Sequence, residues 1–311
     1  VFFALLLIAM GGFVTSINAG LAVPDWPTSF GSMDPFRPLP EWWKITPVLA
    51  EHGHRLLGAL VGLLTTVLTV WTWRTDPRSW MRKLGIFALV LVIFQGVLGG
   101  FRVVWISLDL AVVHACMAQL FFGILLFMTL ATSRTWLHNR YEFRRDEAED
   151  GRYLRFVSIG TAGILYIQII LGALLRHPGE GIDTVLAYTH IGGATVALLG
   201  VLAVGRLIYR RFRQNPILQV HRWLLYGLVA LQIGLGLIAY VVLLNETGRL
   251  VQPSALQVIV NTSHLVIGSL LFGTAVSLAL WLMRQPLRQK LTTTAREHPP
   301  TSSQTHPTHL T

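Results

Sequence analysis

Stretches of about twenty apolar, nearly uncharged residues recur along the whole chain, and that is the length an α-helix needs to cross a lipid bilayer. Inside hydrocarbon the backbone must satisfy its own hydrogen bonds, so segments of this kind fold as helices packed on one another. Eight such segments are recognisable: Val1–Ile17, Val48–Trp73, Leu84–Val104, Leu108–Ser133, Phe156–Leu175, Val185–Tyr209, Val220–Leu244 and Ser254–Met283. The predicted class is therefore an all-α integral membrane protein with eight transmembrane helices. Composition agrees: of 311 residues 53% are hydrophobic and 13% charged, against about a quarter charged in soluble domains. The chain opens on apolar sequence without Met, and no small-residue cleavage site follows. The first segment is thus expected to be a span that has lost a short leader, not a signal peptide.

Positive charge orients the spans. Arg74, Arg78, Arg82 and Lys83 lie between the second and third segments. Between the fourth and fifth lie Arg134, Arg140, Arg144, Arg145, Arg152 and Arg155. Arg206, Arg210, Arg211, Arg213 and Arg222 cluster about the link between the sixth and seventh, and Arg284, Arg288, Lys290 and Arg296 follow the last. The opposite side is poor, with Arg37, Lys44, Arg102, Arg176 and Arg249. The richer side is cytoplasmic, which puts both termini inside and starts every even-numbered segment at the outer face. The net charge of +10 follows from these loops and implies no nucleic-acid partner. One cysteine, Cys116, excludes an internal disulfide and any cysteine-ligated cluster.

The two halves echo each other. "QGVLG" at Gln95–Gly99 matches "QIGLG" at Gln232–Gly236, "VLAEHGH" resembles "VLAYTH" after a one-residue slip, and "HACMAQLFFG" aligns with "HLVIGSLLFG". Four helices return the chain to its starting side, so the halves are expected to be parallel repeats about an axis along the membrane normal. That divides the chain into a four-helix half over 1–133, a charged cytoplasmic linker over 134–155, a second half over 156–283 and a disordered tail over 284–311. The tail histidines His298, His306 and His309 read as solvated.

Of eleven histidines, His54, His114, His190 and His264 fall within spans, all on even-numbered segments and two in each half. They stand about six to ten residues from the outer ends, roughly 9–15 Å deep at about 1.5 Å per residue. Four positions on, a face-sharing distance, the residue is always small: Gly58, Ala118, Ala194 and Gly268. Such a residue is expected to leave a shelf for a planar ligand. A lone intramembrane histidine is more often a packing residue. Four in matched pairs favour two axial haem clamps over zinc, a proton relay or a structural role. Zinc needs further ligands on one face, and Cys116 is on the wrong side of the helix that carries His114.

Glu51 shares a face with His54, whereas His52 points elsewhere and is expected at the rim, near a haem propionate. An intramembrane carboxylate has a partner or a task. Glu51 either pairs with Arg55 at i,i+4 or faces the ligand of His54 and exchanges protons. The sixth segment has only Tyr188 and Thr189 ahead of His190, so one site reads as reactive and the other as an electron store. Arg55, Arg102 and Arg176, near the outer helix ends, are candidates for haem propionates or for lipid headgroups. Trp26 is expected to anchor at the interface or cover a haem edge, and Asp25 to serve a turn.

Together these residues resemble the haem A synthase family. The resemblance rests on eight helices in two halves, the E-x-x-H-R arrangement of Glu51, His54 and Arg55, and the three further helix histidines. It is carried as well by "NAGLAVPDWPTSFGSM" (Asn18–Met33), "QGVLGG" and "QIILGALLR". It implies an oxidoreductase of the bacterial cytoplasmic membrane that converts the C8 methyl of haem O to a formyl group by successive hydroxylation, giving haem A. By the same resemblance His54 and His114 would hold the substrate haem, His190 and His264 would ligate a haem b cofactor, and Glu51 would be the catalytic carboxylate. Implied partners are the farnesyltransferase that makes haem O, terminal oxidase assembly and an unidentified electron donor; homo-oligomerisation is left open. Many bacterial members carry paired cysteines in their outer loops, and this chain has none. Two rivals stand beside this reading. A di-haem b electron carrier from quinol to an external acceptor explains the histidines but gives Glu51 no task. A transporter predicts spans broken by proline, yet only Pro253 touches an edge of one.

Overall fold

The computed structural model describes residues 1–138, 147–176, 183–246 and 253–284. Its long helices are α1 (Phe2–Ser16), α2 (Thr46–Thr75), α3 (Ser79–Val104), α4 (Leu108–Thr132), α5 (Ala148–Arg176), α6 (Thr184–Arg211), α7 (Pro216–Glu246) and α8 (Ala255–Arg284). Seven of them, α2 to α8, are long and apolar enough to cross a membrane, and the chain is an integral membrane protein. Helix α1 has fifteen residues.

Most helices overrun the apolar segments that announce them. Hydropathy marks the thickness of hydrocarbon, whereas a helix continues for as long as its backbone bonds are satisfied. Helix α2 begins at Thr46 with Pro47 in its first turn, where proline gives up no hydrogen bond. Helix α5 begins well before Phe156 and places Glu149 and Asp150 in its first turn, where acidic groups favour the helix dipole. The charged linker is thus partly helical, since Arg134–His138 also forms a helical turn. Arg140, Arg144, Arg145, Arg249 and the whole tail from residue 285 lie outside the described residues.

Neighbours in sequence pack side by side, and α1 and α5 each also lie against α8. One apolar cluster joins α5 to α8 around Val201, Ile208, Leu225 and Leu278. Another joins α1 to α4 around Ile8, Met81, Phe121 and Met128. Trp136, on the short helix, packs against both and stands 5.7 Å from Trp281 and 6.2 Å from Phe127, ring to ring.

Where α4 meets α8 the contacts are reciprocal. A methyl at Gly273 would lie 2.9 Å from Phe122, and one at Gly123 would lie 3.8 Å from Phe272. Gln119 donates to Ser269 Oγ at 2.9 Å in the same buried seam. Gln119 and Ser269 hold the same place in the aligned segments "HACMAQLFFG" and "HLVIGSLLFG". Small residues let these backbones approach closely, as helix association in lipid requires.

Candidate functional site

Each of the four span histidines sits against a glycine of the preceding helix. A methyl at Gly11 of α1 would lie 3.1 Å from His54 Cε1, and one at Gly99 of α3 would lie 3.2 Å from His114 Cε1. The same holds at 3.3 Å for Gly172 of α5 and His190, and at 3.1 Å for Gly236 of α7 and His264. The imidazole thus meets the same edge-on seat four times. The Nδ1 atoms of His54, His190 and His264 are buried and have no hydrogen-bond partner among the described residues. A buried imidazole nitrogen without a partner costs about 1–3 kcal/mol, which a ligand or its hydrogen-bonding neighbours would offset. His54 lies within electrostatic range of His114, and His264 within range of His190. These proximities join α2 with α4 and α6 with α8. The residues present therefore fit haem.

Two of the small residues four positions beyond the histidines, Gly58 and Gly268, do not leave bare shelves. The amide of Gln232 lies over Gly268, 3.1 Å from where a Cβ would stand, and Leu7 Cδ1 approaches Gly58. A small side chain there receives a residue from the neighbouring helix.

Above the first pair, the loop between α1 and α2 is tied down by three polar groups of α2, Glu51, His52 and Arg55. Glu51 is 3% exposed. Its Oε2 accepts from the Val23 N–H at 2.8 Å and its Oε1 from Arg55 Nη2 at 2.9 Å. Of roughly four acceptor positions on a carboxylate, two are taken. Arg55 also donates to three loop carbonyls, Val23 O at 2.8 Å, Asp25 O at 2.7 Å and Thr28 O at 3.2 Å. His52 donates from Nε2 to Pro35 O at 2.8 Å, which fixes its tautomer, so Nδ1 accepts from Ser29 Oγ at 3.2 Å. It is buried under the loop, with Trp42 packed edge-on at 4.9 Å, and does not stand at an exposed rim.

The loop is ordered from within as well. Asp25 accepts from Thr28 Oγ1 at 2.5 Å, from Phe30 N at 2.7 Å and from Gly31 N at 2.8 Å. Partial burial pushes this carboxyl up, but those bonds outweigh it and hold the group below its ordinary 3.8. Trp26 packs its ring onto Gly100 of α3, where any side chain would collide with it. It anchors the loop to a helix, beside Phe101 at 6.0 Å.

The other two candidate arginines reach backbone. Arg102 donates to Gly20 O at 2.7 Å. Arg176 of α5 donates across the molecule to Gly12 O of α1 at 2.7 Å, to Ser16 Oγ, and to Asn261 O of α8 at 3.5 Å. Arg102 lies within electrostatic range of Glu51 and His54, and Arg176 within range of His264.

A family model, COX15-CtaA, described as cytochrome oxidase assembly protein, matches residues 1–188. The chain belongs to the COX15-CtaA family. Among its relatives is the heme A synthase of Lysinibacillus sphaericus, 25% identical over 92% of this chain and 94% of that protein. The heme A synthase of Geobacillus kaustophilus is 25% identical over 90% and 89%. That of Shouchella clausii is 31% identical over 56% of this chain and 55% of its own.

Sequence reasoning used the family's Q-x-x-L-G stretches as marks of resemblance and missed what they do. The closing glycines of "QGVLG", "QIILG" and "QIGLG" are Gly99, Gly172 and Gly236, three of the four seats. The signal was the repetition of one pattern on three helices, each directly before a helix with an intramembrane histidine. Gly11 has no glutamine ahead of it and escapes the pattern.

Proposed function

We propose that this chain oxidises the C8 methyl of haem O to a formyl group and so makes haem A. In this reading the eight long helices all span the membrane as two parallel four-helix repeats, 1–133 and 156–283, joined by the linker 134–155. The reciprocal seam of α4 and α8 supports that arrangement, because repeat-equivalent residues meet across an axis between the halves. The positive side faces the cytoplasm of a bacterial cell, both termini lie there, and the sites face the outer leaflet.

His54 and His114 hold haem O as substrate, and His190 and His264 hold a haem b whose chemistry is one-electron transfer. Two hydroxylations of the methyl, each a two-electron oxidation that would need an external oxidant such as dioxygen to supply the oxygen atom, and loss of water from the gem-diol would give the aldehyde. Glu51 supplies the proton-accepting group: its carboxylate is fixed by Arg55 and by the Val23 N–H, retains acceptor capacity, and shares a helix face with His54. Arg102 and Arg176 stand near the histidines with donors suited to propionates, whereas Arg55, whose terminal nitrogens are engaged by the loop and Glu51, would offer only Nε. The farnesyltransferase step that makes haem O precedes this reaction, and terminal oxidase assembly consumes its product.

The observation that carries the reading is the fourfold seating of imidazoles, paired by half, in a chain whose relatives are heme A synthases. The test is pigment extraction from membranes of haem O-producing cells with and without this chain, each haem identified by mass. Haem A is expected only with the chain. Two stoichiometric haems b and no haem A would instead establish the di-haem electron carrier.

A further inference from the structure

Helix α1 is shared between the two halves. Gly11 faces the first half and seats His54, while Gly12, about 100° further round the helix, faces the second. A methyl at Gly12 would lie 2.7 Å from Leu265 Cδ2 and 3.8 Å from Thr262 Cγ2, residues that flank His264 on α8. The Gly12 carbonyl accepts from Arg176 Nη2 at 2.7 Å and from Ser16 Oγ at 2.7 Å. Ser16 Oγ in turn accepts from Arg176 and stands 3.2 Å from Thr262 Oγ1. Arg176 lies on α5, four residues beyond Gly172, the seat of His190. One guanidinium thus links the helix that seats His190 to the helix that seats His54. The link runs in one direction, since Thr15, four residues beyond Gly11, bonds back to Gly11 O at 3.0 Å.

We propose that Arg176 is a positioning residue for the first-half site, supplied by the second half, so that filling the second site tightens the first. This rests on the assignment of the two haem sites above. Helix α1 cannot shift against the second half without breaking the bonds from Arg176 and the packing of Leu265 on Gly12. Whatever fixes α1 there fixes the Gly11 seat as well. Ligation through His190 and His264 would tie α6 to α8, which carries Thr262 and Leu265, and α5 packs against both. Binding that orders a shared element lowers the ordering cost left to a second ligand, and the coupling is reciprocal. Arg176 Nε has no partner among the described residues, and Nη1 has only the 3.5 Å contact with Asn261 O. Those donors can take a propionate without releasing Gly12.

The test is titration of the full-length chain in detergent with ferric protohaem, read by absorbance, the first-half site being the signal that His54→Ala removes. The second site is emptied with His190→Ala, which leaves Thr262 and Leu265 in place. That change is expected to weaken the first-half site at least about fivefold, the lower end of ordinary coupling between sites. In Arg176→Met, which keeps the reach and loses the donors, His190→Ala should leave first-half affinity unchanged, and Arg176→Lys should keep part of the dependence. A residue that only packed, or only held a propionate, would lower affinity without uncoupling the sites. First-half affinity indifferent to His190→Ala in the wild type overturns the proposal, as does full coupling in Arg176→Met. If Arg176→Met does not fold, Ser16→Ala decides from the first-half side: coupling undiminished there overturns the proposal. A wild-type chain that takes up no haem would sink the assignment of the sites themselves, which is a different result.

Discussion

Helix α2 carries His54 together with Glu51 and Arg55, and both charged groups reach up to hold the loop above them. Helix α6 carries His190, but the residues ahead of it are turned elsewhere. Tyr188 is 68% exposed, and Thr189 bonds back to Val185 O at 2.7 Å. The imidazoles of the two halves are seated alike, while among the described residues only the first half has a buried carboxylate beside its pair. An ion pair buried this deeply contributes little net stability, because desolvation offsets most of its attraction. Its presence beside the first pair is therefore better explained by the task proposed for Glu51 than by stability.

The strongest way to break this comparison is to remove the histidines one half at a time. His190→Ala or His264→Ala is expected to abolish the spectrum of the firmly bound haem in purified protein, while His54→Ala leaves it. The reverse outcome would exchange the two sites.

Glu51→Gln separates the halves by chemistry. It keeps the volume and an acceptor for Arg55 but removes the proton-accepting carboxylate. Haem A output should fall by at least about a hundredfold, the usual range for a lost acid–base group, with the second-half haem spectrum intact. Undiminished output would leave Glu51 as a loop fastener and nothing more.

Arg55→Ala tests the fastening itself. It strands Glu51 as a buried charge and releases three carbonyls of the loop, at a cost of about 3 kcal/mol. The expected readout is protease cleavage between residues 20 and 35 that the wild type resists, and faster hydrogen exchange at the Val23 amide. Gly100→Ala should act on the same loop by a different route. A methyl there displaces the Trp26 ring, at about 1–3 kcal/mol for an overpacked contact, and Trp26 fluorescence should shift red as the ring enters water. Since Gly100 lies on α3 in the first half, the second-half haem spectrum serves as its control.

Much of this was legible beforehand. The apolar runs located the seven helices long enough to span, because lipid demands them, and the four histidines stood out, because a polar ring in an apolar helix needs a reason. The repeat in the sequence suggested pairing them by half. The seats were not legible as seats, since a glycine at 172 or 236 is ordinary until a ring from the next helix is found against it. The fate of Arg55 was hidden for a similar reason. A guanidinium near a helix end fits a propionate or a headgroup equally well, and only the path of the loop brings Val23, Asp25 and Thr28 carbonyls within its reach. Helix ends were misjudged where charged residues such as Glu149 and Asp150 prolong a helix beyond the hydrocarbon.

The smallest expected effect sharpens the comparison at the loop's own hinge. Asp25 is ionised in a nest of donors from Thr28, Phe30 and Gly31, which holds it below its ordinary 3.8. A carboxyl lowered by folding lends stability that is complete above its unfolded value and is lost as pH falls through the folded one. Loop order should thus be constant from neutral pH down to about 4 and loosen only below that. Hydrogen-exchange protection at the Phe30 and Gly31 amides would report it, compared with Asp25→Asn, in which protection should be lower at neutral pH and insensitive to acid. The Glu51–Val23 bond lies at the other end of the same loop, so acid that unfastens Asp25 should leave Val23 protected. If both amides lose protection together, the loop opens as a single unit, and the cover over the first-half site is one lid with two fasteners instead of two independent ties.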